Sequence, residues 1–219
     1  MRTIIEKLDE LKAADKDLLN FGARTHAYEL GPVLSPDEVR QVEEQYRFTL
    51  PEVYRSFVTT VGNGGAGPFY GLFVLGEHDE GYDFIPWPEG DLIGDLSLPF
   101  QHVEAWNLPP AFWAGEPDPE EGLSELEEEA LWDVWYDKLD VQYWNPSTMN
   151  GAIPICHEGC ALRNWLVVTG ELAGTVWRDM RADYQGIAPL RNANGSPMTF
   201  ADWYRNWLDT SLNAVRTLT

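Results

Sequence analysis

Three short stretches of this sequence carry residue types that do chemistry in proteins. "GNGGAG" at 62–67 has the G-x-G-x-x-G spacing that lets backbone amides close around a pyrophosphate, and an acid, Asp83, stands about twenty residues on. "CHEGC" at 156–160 sets Cys156, His157, Glu158 and Cys160 close together, as the first half of a zinc site would. "DPEEGLSELEEE", beginning at Asp118, has the carboxylate density of a calcium loop.

The elements around each motif decide what it is. A dinucleotide turn follows a strand and opens a helix, so that the helix N-terminus faces the phosphate. Here the order is reversed. "LPEVYRSFVTTVG" predicts a helix starting near Pro51 that buries Tyr54, Phe57, Val58 and Val61, and "FYGLFVL" after the glycines predicts a strand. A phosphate would meet the negative end of the helix dipole. The glycines therefore read as a helix C-cap and a tight turn. The cysteine pair has no second Cys/His pair to close a four-ligand site, since His26, His78 and His102 stand singly. With Cys156 ending a strand and Cys160 past a turn, both read as ordinary small buried residues. In calcium-loop register Leu123 falls where glycine is required, which leaves an acidic helix start favoured by the dipole. There is no P-loop, zinc-protease or nucleophile-elbow pattern. The expectation is no catalytic residue, no cofactor and no metal.

The remaining elements follow from periodicity and caps. Ile4, Ile5, Leu8, Leu11 and Leu18 predict a first helix. Ser35, Pro36 and Glu38 form a capping-box start for a second, whose face is Val39, Val42 and Tyr46. A further helix is predicted over about 120–139. There Leu123, Leu126, Ala130 and Val134 share one face, while Trp132 and Tyr136 fall on another. "GAIPICHEG", "RNWLVVTG" and "GTVWRDMR" predict an antiparallel meander, and a last helix starts at Thr199 with Trp203, Trp207 and Leu208 inward. Consecutive strands between terminal helices give an α+β class: an antiparallel sheet, made of the strand after the glycine turn and the C-terminal meander, packed with N- and C-terminal helices. One domain over 1–219 is expected, with a helical extension at 1–33 and an acidic, aromatic-rich insert at 77–145.

The formal charge is −21, and it is unevenly distributed. From Glu77 to Asp140 there are 19 acids and one base, Lys138; the rest of the chain holds 17 acids and 14 bases. Such a segment repels nucleic acid and anionic lipid, and it is either a solvated, solubilising face or one that attracts a basic protein. Its many prolines interleave with Trp87, Phe100, Trp106, Phe112 and Trp113, which is too aromatic for a disordered linker. No apolar run has the length of a membrane span or a secretory core, and two cysteines suit a reducing compartment, so a soluble, cytoplasmic protein is expected.

"LSPDEVRQVEEQYRFTLPEVYRSFVTTVGNGGAGPFYGL" resembles the SUKH superfamily, and more narrowly the bacterial relatives of the fungal Smi/Knr cell-wall-assembly regulator. The shared features are the helix start near Leu34, an acid at Glu43 or Glu44, Leu50-Pro51, Tyr54, Phe57, and Asn63, Gly64 and Gly65. "ICHEGCALRNWLVVTGELAGTVWRD" and "TFADWYRNWLD" are similar to the family's strand meander and last helix. These blocks are fold signatures. The resemblance implies a non-enzymatic α+β domain, of the kind that as a bacterial immunity protein binds and neutralises a toxin, often a nuclease. The alternative it implies is a regulatory scaffold with no toxin partner. The charge pattern adds a contact set on the acidic insert: Asp79, Glu80, Asp83, Trp87, Glu127, Glu128, Glu129, Trp132, Asp133 and Tyr136. The acids would steer a basic partner, and the aromatics, lying off the aliphatic stripe, would anchor it.

Overall fold

The computed structural model describes residues 3–76, 92–118 and 123–218. The first four elements are helices. α1 (Ile4–Ala14) opens with a reciprocal cap between Thr3 and Glu6, and buries Leu8 and Leu11 but leaves Ile5 exposed. α2 (Ala23–His26) is a single turn. α3 (Pro36–Tyr46) has the expected Ser35–Glu38 capping box, with Pro36 in the first turn. α4 (Glu52–Thr60) follows Pro51 and buries Tyr54, Phe57 and Val58. These side chains meet α7 (Phe200–Leu218) in aromatic edge contacts, Tyr54–Phe200 at 4.8 Å and Phe57–Tyr204 at 4.9 Å. α7 is capped by the Thr199 hydroxyl, which accepts from the Asp202 amide at 3.2 Å.

Among the described residues the sheet is an antiparallel meander in the order β1-β2-β3-β4. β1 is Ala152–Gly159, β2 Leu162–Val167, β3 Val176–Asp179 and β4 Ile187–Pro189. The expected α+β class is the observed one. The composition of the sheet differs from expectation at both edges. β4 was too short to show in the sequence. The segment "FYGLFVL" is not a strand: it touches β1 only by isolated pairs such as Leu72 with Cys156. The cause is local. Pro68 has no amide to give, and Phe69 and Gly71 take left-handed φ of 53° and 99°, which turn the chain back on itself. Leu72 then pairs with Gly65 instead of extending along the sheet.

Both faces of the sheet are covered. Ile153, Ile155, Leu166 and Val176 pack under the helices, while Ala152, Trp165, Val167 and Trp177 face the other way onto Phe100, Met149 and Ile187. This alternation is the period-two signature of a strand buried on both sides. Part of the covering of the second face comes from the acidic insert, through Phe100 and Trp106. Trp106 bonds β4 through both backbone groups of Ile187. α5 (Pro110–Trp113) and α6 (Glu125–Gln142) then complete that layer.

Candidate interaction surface

α6 is the element that displays the acidic segment. Ser124 caps it reciprocally with Glu127, whose amide reaches the Ser124 hydroxyl at 3.4 Å while its carboxylate takes the Ser124 amide at 2.9 Å. The Ser124 hydroxyl, donating to the Glu127 carboxylate at 2.7 Å, and then the Ser124 amide hold that carboxyl below its usual range. Three acids in the first turn, Glu125, Glu127 and Glu128, complement the helix dipole. Inward, α6 buries Trp135, Leu139 and Tyr143 against Trp106, Phe112 and Trp113. Phe112 lies 4.9 Å from Trp135, and Trp113 meets Tyr143 edge-on at 5.1 Å.

The C-terminal end of α6 is bolted to the sheet by a buried ion pair. Arg181 and Asp179 are 0 % and 1 % exposed. The guanidinium grips the Asp179 carboxylate with two bonds, 2.9 and 2.7 Å. Its remaining nitrogen donates to the Tyr143 carbonyl at 3.0 Å and the Thr148 hydroxyl at 2.9 Å, and the group lies over the Trp144 ring. Tyr143 returns the connection, its hydroxyl accepting from the Gly186 amide at 2.8 Å, and burial pushes its phenol up to about 12. A satisfied, desolvated cluster of this kind fixes geometry. The sequence contains Asp179 and Arg181 in "RDMR", but nothing in it distinguishes them from surface charges.

The expected contact residues are only partly assembled. Glu127, Glu128, Glu129 and Asp133 are exposed on α6. Tyr136 is exposed and stacks at 5.8 Å on Trp132, which is half-buried against the aromatic cluster. Asp79, Glu80, Asp83 and Trp87 lie outside the described residues. The aliphatic face is reversed relative to its ordinary reading: Leu123, Leu126, Ala130 and Val134 point to solvent, and the side carrying Trp132 and Trp135 is the one that packs. Aromatic area, not aliphatic period, decides which face of this helix is inner.

Of the residues that carry the resemblance, Leu50, Tyr54, Phe57, Asn63 and Gly64 are buried, while Glu43, Pro51 and Gly65 are half-buried. Glu43 is the acid of the pair that matters: it takes the Leu50 amide at 2.6 Å and pairs with Arg55, tying α3 to the start of α4. Asn63 is buried and holds both backbone groups of Leu75, at 2.9 and 3.1 Å. At Gly64, φ is +79° and a β-carbon would stand 2.5 Å from the Val74 side chain. The amides of Gly62, Asn63, Gly65 and Ala66 all donate to chain carbonyls, so this turn uses its donors internally.

In "CHEGC" the residues diverge. Cys156 is buried, its thiol 3.0 Å from the Pro68 carbonyl and pushed up by burial. Cys160, expected to be buried, is exposed, because the tight β1–β2 turn at Cys160 and Ala161 swings it outward at φ 50°. Glu158 turns to Arg178 at 2.6 Å and to Asn164 at 2.6 Å. Among the described residues no three Cys, His, Asp or Glu side chains converge as metal ligands. A groove of ≈ 410 Å³ on the far side, between Phe21, Phe69, Trp203 and Trp207, is lined by no ionisable side chain. It offers no group for acid–base chemistry. No helix among the described residues is long and apolar enough to cross a membrane.

Compared with known proteins, the chain matches no family model, no curated protein and no solved structure.

Proposed function

We propose that this chain works by binding and not by catalysis, as a cytoplasmic immunity protein that holds a basic toxin domain, such as a nuclease, and covers its active site. The observation that carries the reading is the character of α6. It is a long acidic helix, open to solvent, held in place by a buried ion pair and an aromatic core. A display surface needs that combination: charge outside to steer a basic partner, rigidity beneath so that little freedom is lost on docking. The ordered sequence blocks that resemble the SUKH superfamily support the same reading. The test is rescue of growth: a toxin module found encoded beside this gene is expressed in a naive host with and without this chain. Restored growth, together with a stable complex of the two proteins, is the expected result. A neighbouring toxin that binds nothing here, with this chain recovered only in a housekeeping complex, would favour the scaffold reading.

A further inference from the structure

The outer face of α6 is apolar as well as acidic, and among the described residues its large apolar side chains stay exposed. Leu126, Ala130, Val134 and Val141 recur at steps of four, four and seven residues, which sets them in one line along the helix. The line lies opposite Trp135 and Leu139, the side that packs. Leu126 is 76 %, Val134 54 % and Val141 67 % exposed. At 1.5 Å per residue the ridge runs about 22 Å, some four helical turns. Single exposed aliphatics are ordinary on a protein surface, but several in one line, interrupted by Asp137, are the kind of patch that marks an interface.

The charge around the ridge says what can cover it. α6 carries seven acids, Glu125, Glu127, Glu128, Glu129, Asp133, Asp137 and Asp140, against one base, Lys138. None of the seven has an ion-pair partner among the described residues. Glu129, Asp133 and Asp140 run along one border of the ridge, Glu127 stands on the other and Asp137 sits within it. A second copy of the chain would set one such helix against another, and like charges oppose that. A neutral apolar partner would strip water from the carboxylates and return no counter-charge. A cationic segment satisfies both features.

We propose that this ridge is the anchor of the partner interface, and that its occupant is a cationic protein segment with an apolar stripe of its own, laid along α6. The proposal rests on the binding reading above and deepens it. It also reassigns the anchors. Trp132 packs on the aromatic cluster and helps seat the helix, with the exposed Tyr136 stacked on it, while Leu126, Val134 and Val141 face the partner.

The probe is a pair of fluorescein-labelled synthetic peptides of equal length and equal lysine content. One places leucines at helical spacing on a single face; the other has the same residues scrambled so that no face is apolar. Both are titrated against the intact protein by anisotropy at about 150 mM salt, where long-range charge is screened beyond roughly 8 Å. The amphipathic peptide should bind about tenfold or more tightly than the scrambled one. The double substitution Leu126→Ser/Val134→Ser should remove that advantage, leave the scrambled peptide unaffected and leave melting unchanged. Glu129→Lys/Asp133→Lys should weaken both peptides and flatten the salt dependence. Equal binding of the two peptides, or indifference to Leu126→Ser/Val134→Ser, would overturn the ridge. So would a dimer in light scattering that the double substitution makes monomeric, since the occupant would then be a second copy. Rescue from the toxin that survives Leu126→Ser/Val134→Ser overturns the ridge and leaves the immunity function standing. Rescue absent already with the wild-type chain overturns the function, and the peptide comparison then decides the ridge by itself.

Discussion

Arg181→Met is expected to lower the stability of this protein by about 3–5 kcal/mol. The substitution keeps most of the side-chain volume, so the loss is electrostatic. Asp179 would remain buried with its charge and without its counter-ion. The Tyr143 carbonyl and Thr148 hydroxyl would lose their donor as well. At about 2–4 °C per kcal/mol for a chain of this size, the melting point should fall by roughly 6–20 °C. Replacing both partners, as Asp179→Leu/Arg181→Met, should recover a good part of that loss, because no orphaned charge is left behind. Since Arg181 holds the end of α6, amide exchange in that helix should speed up in the single variant before global unfolding does. A melting point within about 2 °C of wild type would mean that the pair does not fix the helix.

Asn63→Ala is expected to cost about 2–6 kcal/mol. Asn63 is 3 % exposed, and its amide stands in for a neighbouring strand by giving to and taking from the backbone of Leu75. Removing it leaves one buried donor and one buried acceptor unpaired, each costing about 1–3 kcal/mol. Gly64→Val should cost about 1–3 kcal/mol at the next position through its left-handed backbone, beside the close approach of Val74. Both are read by denaturant melts with partner association measured alongside. Unchanged stability with lost association would make this turn a contact site.

How legible all this was in the sequence depends on how local the physics is. Helices α3 and α4 and the turn after them could be read because Ser35–Glu38, Pro51 and the glycines act on their immediate neighbours. The meander was legible for the same reason, from turns set at close intervals. The segment after Pro68 was misread because its aromatic, β-branched composition fits a strand, whereas the left-handed residues at Phe69 and Gly71 follow from its packing against residues 62–67. α6 was found but turned inside out. Its apolar residues occur all round, so its orientation is set by the aromatics of α5 and of the segment near Trp106. Those partners are distant in the chain. The same holds for Arg181, whose role depends on Asp179, Tyr143 and Thr148 meeting in space. The acidic character of the candidate surface was fully visible, being composition alone.

The most direct measurement of the proposal that a basic toxin domain docks on α6 is the association rate of this protein with such a domain, followed by stopped flow across a range of salt. With the wild-type chain the rate should fall steeply as salt rises, as it does when opposite charges steer an encounter. Reversal of Glu127, Glu128 and Glu129 to Lys should slow association about tenfold or more at low salt and flatten its dependence, while the lost Ser124–Glu127 cap and the reversed charge at the helix start lower stability by only about 1–2 kcal/mol, because all three side chains are exposed and the core is untouched. An association rate indifferent both to salt and to this reversal would contradict the account and place the interface away from α6.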